Sequence, residues 1–247
     1  MIPATSPPAP GDVCVWHART TDLAADPARE ARAREWLDAD ERARMDRYRA
    51  DADRGMFLLG RVMARALVGR ALGVAPTAWP WREGPRGRPE VDELGAALGF
   101  NLAHTGGLVA CAVRRGGEVG VDVEHRDRPA LDRRLVDRYC APEEIADIQR
   151  RGPDGWRDQF LKYWTLKEAY LKARGLGIAV PLADVCFRLT PEPVRLAGLN
   201  SLAGDSTEWA FALGELPGRL FLAVAAPLAG AARPRFVVEP FPPELWP

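Results

Sequence analysis

The sequence predicts an α+β fold of two similar α/β halves, a pseudo-dimer within one chain. Each half is a small antiparallel sheet packed against helices. Three observations lead there. Short segments alternate apolar and polar residues with the period of a half-buried strand, and longer ones repeat apolar positions with the period of a helix. The order is strand, helices, hairpin strands, then helices and strands again, which places helices ahead of a small sheet in each half. The 247 residues are 47% hydrophobic and 28% charged, enough to bury a sizeable core. No clear internal repeat accompanies that order. The order alone sets the halves at residues 1–116 and 117–247.

Residues 12–19 alternate apolar and polar and predict a strand. Residues 27–48 are charged and Ala-rich, hence helical. A second helix runs over 53–72 and stops at Gly73, with Phe57, Leu58, Val62, Ala66 and Leu67 at helical spacing. Residues 76–89, rich in Gly, Pro, Trp and Arg, predict a loop. Strands follow at 100–104, 108–114 and 119–124, separated by turns at Gly106–Gly107 and Gly116–Gly117. Helices are expected over 129–138, 142–150 and 155–173, with Pro142 suited to a first helical turn. The closing strands are 185–189, 209–213, 220–225 and 235–238.

Charge and cysteine use narrow the function classes. Lys plus Arg and Asp plus Glu are 34 each, so formal net charge is zero. A general nucleic-acid binder carries a basic excess, and that class loses ground. Only three cations are lysine, Lys162, Lys167 and Lys172, against 31 arginines. GC-rich coding explains the arginines. It does not explain why all the lysines fall in one short segment. Lys is a compact charge with movable protons, so this segment is a candidate for chemistry. Cys14, Cys111, Cys140 and Cys186 lack metal-ligand and redox spacing and read as thiols of a reducing compartment. Residues 1–10 lack a signal peptide's basic start, and the longest apolar run, 220–232, is too short for a bilayer and contains Pro227. A cytoplasmic protein, free of membrane, is expected.

Three constellations carry chemistry. In Gly120-Val-Asp-Val-Glu124, strand geometry puts Asp122 and Glu124 on one face and Val121 and Val123 on the other. Paired carboxylates repel unless a cation or proton sits between them, and their oxygens suit a hard divalent ion such as Mg²⁺. The plainer alternative is a charged strand edge. In the helix over 155–173, Phe160, Trp164 and Leu171 form an apolar stripe, and Glu168 stands one turn from both Trp164 and Lys172. The plainer alternative is a surface ion pair. His104 ends the strand Phe100-Asn-Leu-Ala-His104 before a Gly–Gly turn, where it could meet a phosphate or serve only the fold.

Together these motifs resemble the phosphopantetheinyl transferases of the surfactin-synthetase-activating (Sfp) type. That family's pattern is Asn-x-Ser-His, Gly-(Val/Ile)-Asp-x-Glu, then Trp-x-x-Lys-Glu-(Ala/Ser)-x-x-Lys. It matches here as Asn101 to His104, Gly120 to Glu124 and Trp164 to Lys172, in order. Gly175-Leu-Gly177 and Gly87-Arg88-Pro89 match its flanking motifs, so the resemblance spans roughly residues 40 to 190. Ala103 stands where the family usually has Ser, which implies a lost hydroxyl contact.

The resemblance implies Mg²⁺-dependent transfer of the 4′-phosphopantetheine of coenzyme A to a serine of an apo acyl or peptidyl carrier protein, with release of adenosine 3′,5′-bisphosphate. It implies Asp122, Glu124 and Glu168 as metal ligands and Glu168 as the base, acting directly or through metal-bound water. Asp122, Glu168 and Lys172 form the catalytic set. Lys172 and Lys167 would stabilise phosphate oxygens, and Arg88, Arg54, His104 and, more weakly, Arg47 would hold the nucleotide phosphates. It further implies a monomer with the active site between its halves and a role in secondary metabolism. Residues 126–150 are expected to help dock the carrier, unless Leu131, Leu135 and Tyr139 are core. Two rivals stay open: a metal-dependent phosphoesterase or nuclease, and a non-catalytic binder of coenzyme A or a carrier.

Overall fold

The computed structural model describes residues 11–83, 89–90, 98–128, 131–177, 180–199, 208–228 and 232–247. Contacts divide the chain into two units, residues 1–117 with 235–247, and residues 118–234.

The first unit opens with β1 (Val13–Arg19), α1 (Thr20–Ala24), α2 (Pro27–Glu35), α3 (Ala39–Asp46) and α4 (Asp51–Leu72). The charged stretch expected as one helix is therefore two. The break is an Asp-x-x-Glu capping box: Asp38 Oδ1 accepts from Glu41 N at 2.8 Å, and Asp38 N donates to Glu41 Oε2 at 3.0 Å. Glu41 is itself buried and ion-paired to Arg65 at 2.5 Å and Arg61 at 3.1 Å, which ties α3 to α4. The long α4 buries Leu58, Val62, Ala66 and Leu67 of the face its periodicity announced, with Phe57 only partly covered, and Leu59 and Met63 are buried as well. It ends at Gly73, whose φ of 73° is left-handed and returns its N–H to the carbonyls of Arg70 and Gly69.

Two short strands, β2 (Arg82–Glu83) and β3 (Pro89–Glu90), pair where a plain loop was expected. Then β4 (Leu98–Thr105) and β5 (Leu108–Arg115) form a hairpin. Its two-residue turn has φ of 50° at Gly106 and 80° at Gly107, positive at both positions as a type I′ turn requires. The Gly116–Gly117 pair is not a second hairpin turn, because the strand after it joins a different sheet.

The second unit comprises β6 (Gly120–His125), α5 (Arg134–Tyr139), α6 (Pro142–Arg150), α7 (Gly152–Ala173), β7 (Val185–Arg188), β8 (Arg195–Leu199), β9 (Trp209–Leu216) and β10 (Leu220–Pro227). The helix expected over 129–138 begins only at Arg134, and β8 was not foreseen. The sheet order is β6-β10-β9, antiparallel throughout. The last strand, β11 (Phe236–Pro240), leaves this unit and pairs in parallel with β1, giving the first unit the order β11-β1-β5-β4. In each unit the leading strand pairs with the second strand of a later hairpin, and a 22-residue helix lies between them in sequence. Each unit has its own apolar core. Among the described residues, no helix is long and apolar enough to cross a membrane.

The contact between β6 and α7 leaves no room for a side chain at Gly120. A Cβ there would stand 2.5 Å from Ala173 N and closer still to Ala169 O. Both are backbone atoms of a helix, so neither can swing aside. Gly120→Ala should cost about 3 kcal/mol, the upper end of ordinary overpacking. Urea unfolding measures it, and a loss under 1 kcal/mol would mean the strand and helix separate freely.

Candidate active site

Gly120, Asp122 and Glu124 share the face of β6 turned to α7, while Val121 and Val123 are buried on the other. Asp122 is 6% exposed. Its Oδ1 accepts from Lys172 Nζ at 2.6 Å, and its buried Oδ2 has no hydrogen-bond partner. One strand pitch further, Glu124 Oε1 accepts from Trp164 Nε1 at 3.0 Å and from Arg128 Nη1 at 2.7 Å. Trp164 is fixed by Tyr139, edge-on at 5.2 Å, and by Phe160 at 6.0 Å. Glu168 is half-buried one turn from both Trp164 and Lys172.

Electrostatics define the cluster. Burial pushes the Asp122 carboxyl up, opposed by the Lys172 ammonium. Burial, then the charge of Asp122, pushes Glu124 up to about 6. The same two causes raise Glu168, in that order, with Lys172 and Arg128 acting the other way. Three carboxylates thus share a poorly solvated site with two cations, one positive charge short of balance.

The donor chemistry fits a hard divalent cation. Asp122 Oδ2 is a buried carboxylate oxygen with nothing to accept, on the face that Glu124 shares. As placed, however, no three Asp, Glu, His or Cys side chains among the described residues stand close enough to share a metal ion. Asp122 and Glu124 are the fitting pair. Glu168 does not stand with them as a third ligand.

Other residues singled out in the sequence lie elsewhere. Lys167 is not at the cluster. Its ammonium is 1% exposed, paired with Glu144 at 2.5 Å, and it donates to the carbonyls of Tyr139 at 2.8 Å and Leu182 at 2.9 Å. Glu144 also accepts from Ala141 N and Phe187 N, each at 2.8 Å, so the pair joins α6, α7 and β7. Lys167 therefore has an architectural role, and its buried ammonium is spoken for and does not reach phosphate oxygens as expected. In the first unit, His104 is exposed on β4, Ala103 is buried, and Arg47 is exposed at the end of α3. Arg54 caps the turn before α4, donating to Tyr48 O at 2.5 Å and pairing with Asp51. That guanidinium would have to leave the turn to bind phosphate. Arg88 lies outside the described residues. Leu131, Leu135 and Tyr139 pack on the second unit's core. Arg128 escaped the sequence reading, because its loop carries no periodicity to predict its return to Glu124.

The comparisons with known proteins agree on one family. The model of the 4′-phosphopantetheinyl transferase superfamily matches residues 118–225. The chain is 39% identical over 165 residues to the 4′-phosphopantetheinyl transferase HetI of Nostoc sp., covering 65% of this chain and 68% of that one. It is 32% identical over 229 residues to a phosphopantetheinyl transferase of Thraustochytrium sp., covering 87% and 79%. The 4′-phosphopantetheinyl transferase Sfp of Bacillus subtilis is 26% identical over 154 residues, covering 62% and 67%.

Removing Lys167 strands a buried carboxylate, so Lys167→Met should cost about 3–5 kcal/mol in urea unfolding. A variant of normal stability with weakened ligand binding would return Lys167 to the site. Glu124, raised to about 6, holds its proton better folded than unfolded. Its protonation therefore stabilises the fold as pH falls through 6, fully so below the ordinary carboxylate range. In metal-free buffer, wild type should gain about 2 kcal/mol over Glu124→Gln between about pH 7 and pH 4. A pH-independent difference refutes the shift.

Proposed function

Because the chain belongs to the 4′-phosphopantetheinyl transferase superfamily, we propose that it moves the 4′-phosphopantetheine of coenzyme A onto a serine of an apo acyl or peptidyl carrier protein. Adenosine 3′,5′-bisphosphate is the second product. The carrying observation is the cluster itself: Asp122 and Glu124 on β6 meeting Lys172 and Trp164 on α7, with a buried carboxylate oxygen left over.

Mg²⁺ held by Asp122 and Glu124, with Glu168 as the third ligand, would supply charge neutralisation for the pyrophosphate. The chain's own residues do the rest. Glu168, half-buried and one helical turn from Lys172, accepts the proton of the carrier serine. The serine oxygen bonds to the β-phosphorus, and the bond from that phosphorus to the bridging oxygen of the nucleotide breaks. Lys172, 30% exposed and held at Asp122, places its ammonium for the phosphate oxygens and for the leaving group. Glu168 cannot hold a metal tightly and take a proton at one instant, so in this reading the base role dominates. His104 and Arg88 hold the nucleotide phosphates.

The same reading has the chain acting as a cytoplasmic monomer of two similar halves. The recurrence of strand order in the two units supports the likeness of the halves.

Intact mass spectrometry tests the function. With coenzyme A, Mg²⁺ and a panel of apo carriers, at least one carrier should gain one phosphopantetheine, and EDTA or Asp122→Ala should abolish the gain. Glu168→Gln should lose about 10²–10⁴-fold in turnover while binding coenzyme A normally. No gain on any carrier, with coenzyme A bound, would make the protein a binder. Normal turnover by Glu168→Gln would remove it as the base.

A further inference from the structure

Arg128 is the residue of the cluster that neither the motifs nor the proposed chemistry uses. It follows β6 on a loop whose backbone is well held. Arg128 N donates to His125 O at 3.0 Å, and Arg157 donates to the carbonyls of Arg128 at 3.0 Å and Leu131 at 3.3 Å. Its side chain is 43% exposed and spans two seats. One is Glu124 Oε1 at 2.7 Å; the other is the ring of Trp164, with the guanidinium carbon 5.4 Å from its centroid. Trp164 donates to the same Glu124 oxygen, so carboxylate, indole and guanidinium form a closed three-way contact. Lys172 does the corresponding work at Asp122. Each strand carboxylate therefore has its own internal cation.

We propose that Arg128 is a built-in counter-ion that competes with the divalent cation for Glu124 and gives up that carboxylate when the cation binds. The inference rests on reading Asp122 and Glu124 as cation ligands. A guanidinium and a divalent ion cannot share one carboxylate oxygen without strong repulsion. Of the two, the guanidinium can leave easily: it is part-exposed, its backbone is anchored, and the Trp164 face offers a cation a second seat. Once released, its planar fork is free for the phosphate oxygens of an arriving ligand. Cation binding thereby uncovers an anion-binding group.

Mn²⁺ is the probe, titrated into the intact protein without coenzyme A, with the free aquo ion counted by electron paramagnetic resonance. Losing a charge-assisted hydrogen bond at the ligand should tighten Mn²⁺ binding by Arg128→Gln about tenfold. Arg128→Met, which keeps a stem over Trp164 without the charge, must shift the same way. Arg126→Gln is the control. Arg126 is a neighbouring arginine paired with Asp158 and Glu215 instead, and its variant should stay within about twofold of wild type. Unchanged or weaker binding by either Arg128 variant overturns the proposal and leaves the cation site standing. Equal tightening by the Arg126 variant also overturns it, because a general field effect would suffice. Mn²⁺ binding to none of them overturns the proposal and the cation site together.

Discussion

The close approach of β6 to α7 governs the second unit. Gly120 lets a strand lie against a helix at backbone distance. Everything catalytic in the proposal depends on that spacing. Asp122 meets Lys172 across fifty residues of sequence, and Glu124 meets Trp164 across forty, because the next two residues on the same strand face are carried to the same helix. A wider gap would open a 2.6 Å ion pair and let water between the carboxylates. Glycine at the head of the motif is thus a spacing element, and the acidic residues after it inherit their positions.

The same approach sets the electrostatics. Close packing removes solvent, and removing solvent raises the carboxyl groups toward neutrality. The chain answers with two cations of different kinds. Lys172, on a rigid helix, holds Asp122; Arg128, on a loop, holds Glu124. Elsewhere on α7 a very similar contact serves architecture instead. Lys167 and Lys172 are five residues apart, about 140° around a helix. One therefore points into the core toward Glu144 while the other faces the cluster. Two identical side chains have separate duties for a geometric reason.

Much of this was legible in the sequence. Period two placed Asp122 and Glu124 together, and one-turn spacing placed Trp164, Glu168 and Lys172 on one side of a helix. Those rules act within an element and need no knowledge of its neighbours. The helical angle between Lys167 and Lys172 was equally available, and applying it would have separated them. So was the Asp38–Glu41 capping box that divides the first charged segment. The partners were not legible. Nothing local links Lys167 to Glu144 or seats Arg128 on Trp164, because both contacts depend on how separate elements pack. The pairing of β11 with β1 is the extreme case, a strand pair separated by nearly the whole chain.

That pairing has a consequence for how the protein is made. Residues 118–234 are a continuous stretch of chain, whereas the first unit is interrupted by them and finishes only with residues 235–247. Along the chain the later unit is complete before the earlier one has its edge strand. Domains generally fold as they emerge, N-terminal first; here the order of completion is inverted. Until the last strand arrives, β1 exposes an unpaired edge, the kind of surface that invites association with other chains. A chain interrupted before Phe236 would leave β1 with that edge bare.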